Sequence, residues 1–228
     1  MIRLAPILAG VLLAGTVLLG IGAAMHPMLP TDAAAQLEVI AATHGWRGIH
    51  LAMLAGSALV AAGVWTRLAD LARPSSGEGL TGPGPSIIAA TIAALALITA
   101  GECLNALNTA FMAGAGWHMA ALFARGDTAI APVFDATHPI GLMAARFGNL
   151  VVALGALALG WAEWRDAGRS RWFAALAWIA AAGGLVGVIL FPEASRLALA
   201  AVALLSGWQV ATAVRVLAAQ RSSSTTME

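Results

Sequence analysis

Charge is scarce in this chain, and two residue types are missing outright. Only 10% of its 228 residues are Asp, Glu, Lys or Arg, against roughly 25% in a soluble domain. There is no lysine, which excludes Schiff-base chemistry of the retinal or pyridoxal kind and the lysine of a phosphate-binding loop. There is no tyrosine, so an interfacial aromatic belt falls to tryptophan. Cys103 is the one cysteine, which excludes an intramolecular disulfide and a dithiol relay. The net charge of +1 offers nothing to a nucleic acid.

Apolar residues fill the space instead. They make up 60% of the chain, and mean hydropathy is +0.85. Runs of about 20 apolar residues are long enough to cross a bilayer, so the fold class expected is an all-α integral membrane bundle in contact with lipid. Six spans are expected, at about 4–24, 46–66, 86–113, 139–161, 172–191 and 196–214, forming one domain over 1–221 with a disordered tail at 222–228. The first run is too long for a signal-peptide core and its cleavage match is weak, so it is read as a retained span. Thr31-Asp32 reads as an N-cap for a short amphipathic helix up to Thr43. Residues 67–85 read as a linker, and the longest connection, 117–138, carries a short interfacial helix at 117–123. Pro139 is taken to open the fourth span, and Pro192-Glu193 to make a tight turn.

Arginine sets the expected orientation. With both termini inside, Arg3, Arg67, Arg73, Arg165, Arg169, Arg171, Arg215 and Arg221 fall on the cytoplasmic side of a plasma membrane. Only Arg47, Arg125 and Arg196 fall outside, as the positive-inside rule requires.

Within that topology, all five histidines, His26, His44, His50, His118 and His138, sit at the outer side. Methionines lie close to several of them, as in Met25-His26-x-Met28, His50-x-x-Met53 and His118-Met119. Imidazole with thioether suits copper or a haem b axial pair, which makes His50, His138, His118, His26 and Met53 the candidate ligands. Against this stands the ordinary use of histidine at interfaces and of methionine as filler. Neither His-Glu-x-x-His nor Cys-x-x-Cys occurs, so no zinc-site spacing is present. In general layout only, the chain resembles bis-histidine membrane cytochromes, which hold haem between histidines on facing helices. That resemblance implies one haem at most, given how few histidines lie inside spans.

A polar seam crosses the apolar runs. Glu102 stands in the middle of the third span, with Asn105, Asn108 and Thr109 within about one third of a turn of it. Ser57 shares the face of His50, and Arg146 and Asn149 share that of His138. By helical rise, Glu102 lies about 15 Å and Arg146 about 12 Å below the outer end of their spans. An ion pair between them is therefore expected, as the floor of an outward-facing pocket made with Asn105, Asn149 and Ser57. The inner half of the third span offers only Thr91 as a polar side chain, which argues for a pocket closed toward the cytoplasm rather than a channel.

Three kinds of function fit these features. One is a binding or redox module for haem b or copper. A second is a non-catalytic subunit or assembly factor that meets a membrane protein partner or a second copy. The third is a small-solute transporter with Glu102 as its proton-linked carboxylate. A membrane hydrolase of the ceramidase-like kind lacks the histidine spacing and the span count, and no Gly-x-Ser-x-Gly turn occurs.

Overall fold

The computed structural model describes residues 4–71, 84–166, 171–190 and 196–225, with the side chains of 190, 196–199 and 220–225 left aside. It is helical, with no strand among the described residues. The helices are α1 (Leu4–Met25), α2 (Ala33–Ala42), α3 (Trp46–Gly63), α4 (Thr66–Leu71), α5 (Pro85–Phe111), α6 (Trp117–Phe123), α7 (Ile130–Arg165), α8 (Arg171–Leu190) and α9 (Arg196–Thr225). Among the described residues, six helical segments are long and apolar enough to cross a membrane. The protein is thus an all-helical, multi-pass membrane protein in contact with lipid.

The boundaries differ from expectation in four places. Arg67, expected in a linker, belongs to α4 and is buried. The third span does not stop near 113, because a π turn at Met112–Gly116 carries it directly into α6. Pro139 lies inside α7 rather than at its start. Its missing N–H leaves the Asp135 carbonyl without its helical donor, a loss that membrane helices tolerate when neighbours re-satisfy the backbone. Finally, α9 runs to Thr225, so residues 222–225 are helical rather than tail. The linker at 72–83, the loop around Arg169, the Pro192-Glu193 turn, Arg3 and residues 226–228 lie outside the described residues. The Asp32 cap is as read: its carboxylate accepts a 2.8 Å bond from the Ala35 amide.

Lipid tails are as apolar as leucine, so helices here associate through close packing more than through hydrophobic drive. Glycine supplies that closeness at seven-residue intervals. On α1 and α3, Gly15, Gly22, Gly56 and Gly63 face the opposite helix; a Cβ on Gly15 would lie 2.7 Å from the Val60 nitrogen. On α7, Gly141, Gly148 and Gly155 all face α5. There a Cβ on Gly148 would stand 2.6 Å from the Gly101 carbonyl, and one on Gly155 would stand 2.8 Å from that of Ala94. A period of seven keeps one face of a helix turned to one partner along its length. Both pairs are antiparallel, which the contacts of Gly15 with Val60 and of Gly63 with Leu12 show for the first.

The central apolar cluster joins α1, α3, α5, α7, α8 and α9 through Leu12, Val60, Leu95, Ile98, Val152, Leu159, Ala180 and Trp208. A second cluster, around Trp46, Met112 and Phe134, fastens α2 and α6 over one end of the bundle. Gly45, at φ 79°, makes the sharp entry into α3 that L-residues avoid, and sets Trp46 into this second cluster.

Candidate functional site

Under that second cluster lies a cavity of about 480 Å³, within the range of roughly 300–1,000 Å³ usual for small-molecule sites. It opens at the end where α1 finishes and α3 and α7 begin. His26, His50 and His138 line it, with Met28, Met53, Met112, Asn108, Asn149 and Arg146. The far wall comes from α8 and α9, at Gly184, Gly187, Val188, Ala201 and Leu205.

Each histidine is held by local structure. His26 follows the last turn of α1, where Pro27 and Pro30 prevent continuation, and the non-helical segment 26–31 lines the cavity. Its Nδ1 donates to the Pro27 carbonyl at 2.7 Å, and its ring centroid lies 5.0 Å from those of both Trp46 and His50. Burial among these rings lowers the His26 pKa below the ordinary imidazole value, and the Pro27 carbonyl opposes that only in part. His50, only 2% exposed, donates from Nδ1 to the Trp46 carbonyl at 3.0 Å. A carbonyl can only accept, so the bond fixes the tautomer and leaves Nε2 with its lone pair. The Trp46 indole is itself anchored, donating to the Met112 carbonyl at 3.1 Å within the π turn. His138 is stacked on Phe134 at 4.7 Å and faces Phe111 at 6.2 Å.

Of the candidate ligands, His26, His50, His138 and Met53 thus meet at one cavity, whereas His118 does not. It stands exposed on α6, as does His44 before α3. Among the described residues, no three His, Cys, Asp or Glu side chains converge as a metal-binding group.

The expected Glu102–Arg146 ion pair does not form. Arg146 donates from Nε to the Val188 carbonyl on α8 at 2.8 Å. Helical phase explains it: the glycine face of α7 is turned to α5, and Arg146 lies about 200° around the helix from Gly148. Asn149, about 100° from Gly148, reaches α5 instead and accepts a 3.3 Å bond from Asn105 Nδ2. Glu102 is 4% exposed, and among the described residues no ion pair includes it. Its Oε1 accepts from Gln209 Nε2 at 3.4 Å, and Ser57 and Asn105 flank the same carboxyl. Gln209 in turn accepts from Thr16 at 3.4 Å. The seam of Glu102, Asn105, Asn149 and Ser57 is therefore present, knitted by amides and hydroxyls rather than by charge.

The opposite end of the bundle holds a cluster not expected from the sequence. Buried Arg67 pairs with Asp70 and, at 2.8 Å, with Glu163. Glu163, 4% exposed, also receives Arg215 at 3.1 Å. The sequence signal was an acid in the last turns of the fourth span, with Arg215 at the matching end of the sixth. Between this cluster and Gln209 lies a void of only about 10 Å³, lined by Arg67, Gln209 and Thr212 among apolar side chains. Comparison with protein-family models, with curated proteins and with solved structures finds no match to this chain.

Proposed function

We propose that this is a plasma-membrane protein with both termini in the cytoplasm, whose outward-facing pocket holds one haem b. The observation that carries the reading is the convergence of three histidines on one largely apolar cavity of about 480 Å³, with the His50 ring oriented by the Trp46 carbonyl. A ring so held presents Nε2 for ligation, the usual support of a metal-binding histidine. His50 and His138 would hold the haem iron, with Met53 and Met112 as thioether neighbours in the same cavity wall. Arg146 contributes a guanidinium to the wall, suited to a ligand that carries carboxylates.

Donor count favours haem over a bare ion. Zinc in protein sites takes three or four side-chain ligands, and among the described residues no three His, Cys, Asp or Glu side chains stand close enough together to hold one ion. Haem brings its own equatorial nitrogens and asks the protein for one or two axial ligands. When bound it supplies one-electron chemistry. The chain's own residues orient the ring, with Trp46 and Phe134 packed against His50 and His138 and residues 26–31 in the cavity wall.

The test is an absorption spectrum and metal analysis of detergent-purified protein. A Soret band that is lost in both His50→Ala and His138→Ala is expected. Bound copper without a Soret band would replace haem by copper at His26, His50 and Met53. Protein with neither band nor metal would overturn the reading and leave the non-catalytic subunit as the better account.

A further inference from the structure

Glu102 is a buried carboxyl on α5, and nothing in the pocket reading uses it. The groups packed around it are uncharged. From α1 comes Thr16, from α3 Ser57, from α7 Asn149 by way of Asn105, and from α9 Gln209. The charged or titratable groups on those elements stand off. His50 is seven residues nearer the pocket on α3, roughly 10 Å by helical rise. Arg146 is turned to the Val188 carbonyl. Arg215 lies six residues beyond Gln209, roughly 9 Å away by rise, and pairs with Glu163, as Arg67 does. On α5 itself, Cys103 is exposed on the outer surface of the bundle.

The oxygens at this point are short of donors. Glu102 Oε2, Asn105 Oδ1 and Ser57 Oγ are all buried and make no hydrogen bond of full geometry, although the Ser57 hydroxyl and the Asn105 amide stand beside the carboxyl. Buried polar atoms are nearly always satisfied, so an Oε2 left without a well-formed bond is a place where a proton can be taken up. A proton on Oε2 would turn that acceptor into a donor toward Asn105 or Ser57.

Access is unequal on the two sides. Toward the pocket, only the 3.3 Å Asn105–Asn149 bond separates Glu102 from a wall residue of the cavity. Toward the other face, beyond Gln209, Leu95, Ile98, Leu12 and Leu159 are all fully buried and enclose a void of only about 10 Å³, against about 480 Å³ on the pocket side. Beyond them the Arg67–Glu163–Arg215 cluster closes the path, and arginines at a constriction repel protons.

We infer that Glu102 is a proton-exchanging site served from the pocket through the Asn105–Asn149 gate and closed toward the opposite face. The proton passes from hydronium in the pocket to Glu102 Oε2, leaving water behind, and returns by the same route. An amide does not relay protons, so Asn105 and Asn149 act as positioning residues that part to admit a water. The inference does not depend on what fills the pocket.

Infrared spectroscopy of the full-length protein in liposomes tests it. Near neutral pH the wild type is expected to show a protonated-carboxyl C=O stretch that shifts on transfer to D2O. Glu102→Gln deletes the band. Glu102→Asp moves it, which covers a failure of the Gln variant to fold. Asn149→Leu slows the deuterium shift by about tenfold, a barrier raised by about 1.4 kcal/mol, while Thr212→Val on the closed side leaves it unchanged. The inference is overturned by a wild type without the band, by a band that survives in Glu102→Gln, or by exchange that responds to Thr212→Val and not to Asn149→Leu. Loss of the band on adding Na+ at constant pH would also overturn it, and would make the site one for sodium.

Discussion

Replacing Gly148 by alanine measures how far the close approach of α5 and α7 supports both the fold and the polar seam. The added Cβ would stand 2.6 Å from the Gly101 carbonyl and closer still to Asn105 Oδ1. Carbon contacts relax only near 3.5–4.0 Å, so the helices must part by roughly 1 Å or Asn105 must leave its place. Overpacking of this kind costs about 1–3 kcal/mol, and the better helix propensity of alanine returns about 1 kcal/mol. Displacing Asn105 also removes its bond to Asn149, worth about 0.5–1.5 kcal/mol. The net loss expected is about 2 kcal/mol. For a chain of this length that lowers Tm by roughly 4–8 °C, read from tryptophan fluorescence of detergent-purified protein on heating. The control is Gly20→Ala, where a Cβ meets nothing within 4 Å and stability is expected to hold or rise slightly. Equal melting of the two variants would refute the view that the seven-residue glycine rows carry the packing.

Two further outcomes are expected. Glu163→Gln removes the carboxylate that buried Arg67, 1% exposed, shares with Arg215 and leaves Arg67 to Asp70; breaking a buried pair costs about 3–5 kcal/mol and the retained Asp70 partner places the expected loss at the lower end, whereas Glu38→Gln on the exposed face of α2 should leave the melt unchanged. The His26 segment should loosen in acid: burial holds the folded imidazole below its ordinary value of 6.5, so as pH falls below that value the undocked form takes up the proton first and stability drops, while above it the docking is complete. Protease cleavage within 26–31, followed from about pH 7 to about pH 5, should rise in the wild type and stay level in His26→Phe.

How much of this was legible in the sequence follows from which physical quantity each feature depends on. Span number depends on run length against bilayer thickness, and all six were readable from apolar runs. That His26, His50 and His138 share one end of the bundle follows from which end of a span each occupies, but the same rule also gathers His44 and His118, which stand exposed, so the cavity's own set was not readable. Boundaries were less legible: proline favours the first turn of a helix, whereas α7 passes through Pro139, as membrane helices allow where neighbours re-satisfy the backbone. Arg67 read as linker because α4 is only six residues long and charged at both ends.

The Glu102–Arg146 pairing fails for a different reason. Depth along a helix follows from residue count alone, and on that measure the two side chains match. Whether they meet depends also on rotation about each helix axis, and apolar runs in a membrane are silent on rotation because every lipid-facing position is apolar. The glycines are not silent. Gly141, Gly148 and Gly155 recur every seven residues and mark the face of α7 that touches α5. On that phase Arg146 lies about 200° away and Asn149 about 100°. The same row that lets the helices approach therefore turns the arginine toward α8 and the amide toward Asn105. Glu102 is left among neutral partners by the packing itself, so an arginine brought onto the α5 face would alter the seam, whereas removal of Arg146 should leave the Glu102–Gln209 contact intact.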